Sequence, residues 1–188
     1  NVKNIVNEPT AAALYYVFQS GGKLNGNFAV YDLGGGTFDI SIIQVVNQDV
    51  TVLASEGVKK LGGDDFDGAL QKIVQKKYKE ATGEDLDIQK VYTKTDAEED
   101  KKSLSKREKV NVRVVKTNIE LTRSEFEKEI SSLLAQTEML CENAIEEAGL
   151  KLKDIKDVLL VGGSTRVPCV TESVKKTFKK DPVTTVNV

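Results

Sequence analysis

The alternation of apolar and polar residues predicts three strands near the start of the chain. Aromatic and β-branched residues fill residues 28–33, 38–46 and 50–55, and glycine or Asn-Gln-Asp segments separate the three stretches. Pro9 and the alanine-rich run after it predict a preceding helix, which stops near Gly21. The pattern therefore predicts a helix followed by a three-stranded meander.

Helical periodicity returns after the meander. Apolar residues recur every three or four positions over residues 66–81, and a charged helix follows over roughly residues 87–104. Alternating valines over residues 110–114 predict a strand, and a second strand ends at Thr122.

The last third of the chain contains two helices and one apolar strand. Thr122 and Glu125 have the spacing of a capping box for a long helix that ends at Gly149. A short strand over residues 157–161 leads through a glycine-rich turn into the final helix. We interpret the whole as an α/β protein with a mixed sheet and an inserted α+β subdomain near residues 63–138.

Composition excludes several classes of partner. The 188-residue chain has 27 Lys and Arg against 29 Asp and Glu, a net charge of −2, so we expect no nucleic-acid partner and no membrane partner. No apolar run approaches the roughly 18 residues that span a bilayer. Cys141 and Cys169 lie among apolar residues, which favours buried thiols over a disulfide. We therefore expect a reducing compartment, the cytoplasm or alternatively an organelle.

The absence of histidine restricts the available chemistry. It removes histidine-based triads, histidine acid–base catalysis and the commonest zinc ligand. Carboxylates, hydroxyls, Lys, Arg and backbone amides remain, and these groups suit phosphate and Mg²⁺ better than acyl transfer.

The segment DLGGGTFD, residues 32–39, places three glycines between two acidic residues. Successive glycines favour positive φ angles or a close approach of the backbone to another group. The amides of such a turn can form an anion-binding concavity, to which Thr37 adds a hydroxyl donor. Asp32 and Asp39 at its ends could hold Mg²⁺ through water. The alternative is a glycine-rich hairpin with solubilising acidic ends.

The segment VGGSTRVP, residues 161–168, joins a strand to a helix through two glycines and a Ser-Thr pair that could cap the helix. Open α/β sheets bind ligands at such strand ends, and Arg166 could stack on an aromatic base. The alternative is an ordinary strand-to-helix turn.

Two acidic segments and one helical face are weaker candidates. Glu8 in NEPT and the acidic residues of LGGDDFD can simply complement helix dipoles. One face of the charged helix can contact a ribose and a base or can be merely solvated. That face comprises Glu98, Lys101, Lys102 and Ser105.

Five motifs, taken in their order along the chain, resemble the second half of the nucleotide-binding domain of the 70-kDa heat-shock chaperones, which belong to the actin and hexokinase superfamily. The motifs are NEPTAAAL, DLGGGTFDIS, LGGDDFD, LTRSEFE and VGGSTRVP. The resemblance covers essentially the whole chain. It implies an actin-like, ribonuclease H-like subdomain over residues 1–62 and 139–188. It also implies an inserted, adenosine-clasping subdomain over residues 63–138.

The resemblance further implies a site for ATP or ADP with Mg²⁺. The implied phosphate loop is Gly34, Gly35, Gly36 and Thr37. The implied catalytic residues are Glu8, Asp32, Thr37 and Asp39. Of these, the three carboxylates hold Mg²⁺ through water ligands and orient the attacking water. The implied adenosine residues are Gly63, Glu98, Lys101, Lys102, Ser105, Gly163, Ser164 and Arg166. The family usually has Arg where Lys102 stands, so we expect a weaker grip on the base.

The implied activity is ATP hydrolysis that drives protein folding. The family's first lobe supplies the other phosphate hairpin and a lysine near the γ-phosphate, so we expect little turnover from this lobe alone. The alternative is a docking module for nucleotide exchange factors. A sugar-kinase or filament-forming relative is a third possibility, which the chaperone-type motifs disfavour. A J-domain cochaperone and peptide substrates are expected partners through the full-length protein.

Overall fold

The computed structural model describes residues 7–19, 25–47 and 49–184. The strands, in chain order, are β1 (Gly26–Leu33), β2 (Phe38–Val46), β3 (Asp49–Val58), β4 (Lys109–Val114), β5 (Thr117–Thr122), β6 (Ile155–Val161) and β7 (Val183–Thr184). The helices are α1 (Glu8–Gln19), α2 (Gly63–Thr82), α3 (Ile88–Val91), α4 (Lys94–Leu104), α5 (Arg123–Glu129), α6 (Ser131–Glu147) and α7 (Pro168–Phe178).

A five-stranded mixed sheet with the order β3-β2-β1-β6-β7 forms the larger part of the fold. The meander β1–β3 pairs antiparallel, whereas β6 runs parallel to β1 and β7 runs parallel to β6. The predicted meander, the late apolar strand and the mixed sheet are confirmed. The two-residue strand β7 was not predicted, because it is too short to produce a pattern of its own.

The two faces of β1 pack against different helices. Phe28 and Val30 join α1 residues such as Ala13 and Val17 in one cluster, whereas Tyr31 belongs to the main core. The Tyr31 hydroxyl donates to Thr137 on α6 (2.9 Å), which satisfies a buried polar group. Because side chains alternate along a strand, Asp32 points to the same face of the sheet as α1.

The hairpin β4–β5 packs against α2, α4 and α5 in a second unit. The rings of Phe66 on α2 and Phe126 on α5 meet edge to face, with centroids 6.3 Å apart. Residues of this unit and of the large sheet belong to one continuous apolar core.

Two predicted helices are divided in the structure. The charged helix expected over 87–104 is α3 and α4, because Thr93 caps α4 reciprocally with Asp96. The long helix expected after Thr122 is α5 and α6, which separate at Ile130, a fully buried residue whose ψ of 0° departs from helical geometry. The predicted end of the first helix near Gly21 lies outside the described residues.

Both cysteines are free thiols, as predicted, with Cys141 buried and Cys169 half-buried. Among the helices that the structure describes, none combines the length and the apolar character needed to cross a membrane.

Candidate functional site

A cleft of about 520 Å³ opens where the glycine turn after β1, the start of α2, the end of α4 and the turn after β6 meet. This volume is in the range of small-molecule sites, about 300–1,000 Å³. Every residue that the resemblance places around adenosine lines the cleft, together with Gly35 of the glycine turn. Four further lining residues were not assigned to the nucleotide from the sequence, namely Asp64, Asp67, Lys106 and Val167.

The glycine turn connects β1 to β2 as a tight hairpin. Gly34 N donates to Thr37 O (3.0 Å) immediately after the last strand pair, Leu33 with Phe38. None of the three glycines has a positive φ, so the first of the two predicted alternatives does not apply. The expected close approach of the backbone to another group is present.

That other group is the start of α2. Gly34 O accepts hydrogen bonds from Gly63 N (3.0 Å) and from the Ser164 hydroxyl (2.8 Å), and Gly35 O accepts from Asp64 N (2.7 Å). The first N–H groups of a helix lack partners within the helix, so the turn carbonyls satisfy them. The turn is thereby fixed to α2 and to the segment after β6.

The direction of these carbonyls determines the direction of the turn amides. In a trans peptide the C=O and the following N–H point in opposite directions, and the described chain has no cis peptide. The N–H groups of Gly35 and Gly36 therefore both point away from α2. Within the described residues neither N–H donates to a protein acceptor. Two adjacent amides with a common direction form an anion-binding concavity.

The space around the turn distinguishes two kinds of glycine. A Cβ on Gly36 would meet no atom within 4 Å, and one on Gly35 would meet only the Asp64 carboxylate at 4.0 Å. The protein's own packing therefore does not require glycine at these two positions. In contrast, a Cβ on Gly62 would lie 2.6 Å from Gly35 O, and one on Gly162, at φ 90°, would overlap the backbone of β1. Those two glycines are required by packing.

Asp32 and Asp39 are direct partners in the β1–β2 register and line a second cleft of about 320 Å³ at the start of α1. Gly57 on β3 leaves room for the Asp39 carboxylate, which a Cβ there would contact. Glu8 is the first residue of α1, but its side chain lies outside the described part of the structure. Two neighbouring carboxylates suit Mg²⁺ that keeps several water ligands. Among the described residues, no three Asp, Glu, Cys or His side chains form a direct metal site.

Lys101 is buried, although the helical pattern also allowed it to lie on a solvent-exposed face. It is buried between α4 and α2, where its Nζ donates to Gly63 O (3.0 Å) and lies 2.8 Å from Asp67 Oδ1. Burial raises the pKa of Asp67 above its ordinary value, and the Lys101 ammonium opposes this effect. Asp67 follows Gly63 by four residues, one helical turn, and this spacing was the available signal for it.

The other residues of the α4 face remain near the surface. Glu98 and Lys102 form an exposed ion pair (2.7 Å) that lowers the pKa of Glu98 and raises that of Lys102. The Ser105 hydroxyl donates to Lys101 O (3.0 Å) at the end of the helix.

The Ser-Thr pair after β6 does not cap the following helix, contrary to the prediction. It lies in a 3₁₀ turn, Gly163–Arg166, and α7 begins afterwards with Pro168 and no side-chain cap. Ser164 instead donates to Gly34 O, and the Thr165 hydroxyl donates three residues back along the turn (2.7 Å). The pair therefore fastens this turn internally and to the glycine turn.

The chain matches the Hsp70 protein family over residues 1–188. It is 41% identical, over its whole length, to "Heat shock 70 kDa protein, mitochondrial" from Solanum tuberosum, of which it covers 29%. It is 42% identical over its whole length to "Chaperone protein HscA" from Buchnera aphidicola, and 39% identical over 99% of its length to "Chaperone protein HscA homolog" from Histophilus somni. The chain spans 30% of each of these two relatives.

Proposed function

Because the chain belongs to the Hsp70 family, we propose that it is the second lobe of a chaperone ATPase domain and that its cleft binds ATP or ADP with Mg²⁺. The observation that carries this proposal is the glycine turn. Two amides of this turn point in a common direction and lie next to a cleft with room for a nucleoside. Packing does not require glycine at either position.

Adenosine would lie between two walls of this cleft. Glu98, Lys102 and Ser105 offer polar groups from α4, and Gly163 and Arg166 face them from the turn after β6. The planar Arg166 guanidinium can stack on the base, whereas the Lys102 ammonium contributes only a point charge. Ser164 and Gly63 form the floor, where the wall residues join the glycine turn.

The phosphates would lie on the glycine turn. The N–H groups of Gly35 and Gly36 and the Thr37 hydroxyl would hold the terminal phosphate oxygens. Asp32 and Asp39 on β1 and β2, together with Glu8, would hold Mg²⁺ through water and orient the attacking water. When bound, Mg²⁺ neutralises charge on the phosphates.

We assign the actin-like subdomain to residues 1–62 and 139–188 and the inserted subdomain to residues 63–138. The isolated lobe has little turnover in this proposal, because the family's other phosphate hairpin belongs to the first lobe. Within a full-length chaperone it meets a nucleotide exchange factor, a J-domain cochaperone and peptide substrates. The free thiols support a reducing compartment, the cytoplasm or an organelle, and one relative is named as mitochondrial.

Isothermal titration with ADP and Mg²⁺ tests the proposal. Gly36→Ala should weaken ADP binding at least tenfold, about 1.4 kcal/mol, because the new methyl group would enter the open space beside the turn that we assign to the phosphate. Gly68→Ala is the matched control: it lies on α2, a Cβ there meets no atom within 4 Å, and ADP affinity should not change. Equal ADP binding by wild type and Gly36→Ala would contradict the phosphate assignment. Absence of wild-type binding would favour the docking module for exchange factors.

A further inference from the structure

The cleft contains a buried ion pair whose acidic member has no role in the nucleotide contacts above. Asp67 and Lys101 are 4% and 8% exposed, and 2.8 Å separates Asp67 Oδ1 from Lys101 Nζ. Among the described residues, Oδ1 of Asp67 has no hydrogen bond of good geometry, so its neutralisation rests on the Lys101 ammonium. A buried carboxylate without that partner would be strongly destabilising.

The ion pair stands at one end of a connected set of polar contacts. Lys101 Nζ donates to Gly63 O, and Gly63 N donates to Gly34 O at the glycine turn. Ser164 from the opposite wall donates to the same Gly34 oxygen. A Cβ on Gly63 would lie 2.7 Å from Ser164 Oγ and 3.1 Å from Lys101 Nζ, so all three segments converge on this glycine.

We propose that Asp67 is a positioning residue of the nucleotide cleft, which holds the Lys101 ammonium on the Gly63 carbonyl and so fixes α4 relative to the glycine turn. This inference rests on the proposed nucleotide site. Lys101 is therefore a clamp between two helices, and Asp67 compensates its charge. The distance between α4, which would contact adenosine, and the glycine turn, which would contact phosphate, therefore depends on the contact of Lys101 with Gly63.

A substitution that removes the charge of Asp67 can either strengthen or weaken ADP binding. The direction of this change distinguishes a positioning role of Asp67 from a purely electrostatic one. ADP is an anion, so removal of a carboxylate from the cleft should strengthen its binding if only net charge matters. Asp64→Asn is the matched control: the Asp64 carboxylate lines the same cleft on the same helical turn, is exposed, and makes a long contact of 3.9 Å to Lys94. The Asp64 backbone N–H, which bonds to Gly35 O, is unchanged in this variant. We expect Asp64→Asn to leave ADP affinity unchanged or up to threefold tighter. Asp67→Asn should instead weaken ADP binding at least fivefold.

Further variants test whether Asp67 acts through Lys101. Asp67→Glu keeps the charge and should recover part of the lost affinity. In a Lys101→Met background, Asp67→Asn should cause no further loss of affinity, because the contact that it supports has already gone. Additive losses in the double variant, or ADP binding by Asp67→Asn that matches Asp64→Asn, would overturn the proposal.

A second measurement needs no nucleotide. The Gly63 amide donates to Gly34 O, and its hydrogen exchange reports local opening of that contact. Asp67→Asn should raise this exchange rate at least tenfold, and Asp64→Asn should not. If wild type fails to bind ADP, the proposed function fails, but the exchange rate still decides the role of Asp67. An unchanged rate in Asp67→Asn would refute positioning.

Discussion

Alanine at the two glycines of α2 should change stability in opposite directions. Gly68 lies inside the helix, where a Cβ meets no atom within 4 Å. Gly68→Ala should therefore stabilise the chain by about 0.5–1 kcal/mol, since alanine has the higher helix propensity. Gly63 is the first residue of the same helix and faces the cleft.

The cost at Gly63 follows from its neighbours. A Cβ there would be 2.7 Å from Ser164 Oγ and 3.1 Å from Lys101 Nζ, so the hydroxyl must rotate and the ammonium must move by a few tenths of an ångström. Rotation breaks the Ser164 bond to Gly34 O and leaves a buried hydroxyl, which costs about 1–3 kcal/mol. The smaller propensity gain at a helix end offsets little of this loss.

Urea unfolding followed by far-ultraviolet circular dichroism measures both effects. We expect Gly63→Ala to unfold at lower urea than wild type and Gly68→Ala at higher urea, with unchanged slopes and a total difference of about 1.5–4 kcal/mol. If Gly63→Ala were as stable as Gly68→Ala, the contacts of Ser164 and Lys101 with Gly63 would not contribute to stability. That result would contradict the convergence of the three segments on Gly63.

Three further predictions concern the rest of the fold. Gly162→Ala should lower the melting temperature by several degrees more than Gly63→Ala, because a φ of 90° is unfavourable for alanine and the new Cβ would overlap the backbone of β1. Burial alone would raise the pKa of Glu125, but hydrogen bonds from Lys77 and its capping threonine outweigh burial and lower it. The stabilisation by Glu125 should therefore be present above the unfolded pKa of about 4.3 and be lost as pH falls through the lower folded value. Thermal melts of Glu125→Gln and wild type should differ at pH 7 and converge once Glu125 is protonated in the folded chain. Burial raises the pKa of the Cys169 thiol to about 12 and also raises that of the Cys141 thiol, so a thiol reagent at pH 7.5 should label neither cysteine before unfolding. Rapid labelling of the folded chain would contradict the packing.

The strands were predictable from sequence because their signal is local. Alternation and β-branched residues delimit β1 and β2, and the glycines between them can only be a turn. The direction of the turn amides was not predictable. It depends on hydrogen bonds to Gly63 and Asp64, which arrive from a different part of the chain.

Helical spacing was an incomplete guide to the cleft. It correctly grouped Glu98 and Lys102 as neighbours, which the structure shows as an ion pair. It could not distinguish Lys101, which turns inward because Asp67 on α2 offers a buried counter-charge. Likewise, Ser164 was expected to cap a helix by accepting from a backbone N–H, but in the fold its hydroxyl donates to the carbonyl of Gly34, and α7 begins later, at Pro168. Both differences arise from tertiary partners distant in sequence.

The most direct test of the central claim is a nitrogen–proton NMR titration of this chain with ADP and Mg²⁺. We expect large shifts of the Gly35 and Gly36 amide signals, with no shift at Gly68, because in the proposed site the two turn amides bind phosphate oxygens. Adenosine alone should shift residues of α4 and of the turn after β6 but not these two amides. Binding of ADP with unmoved Gly35 and Gly36 signals would contradict the account.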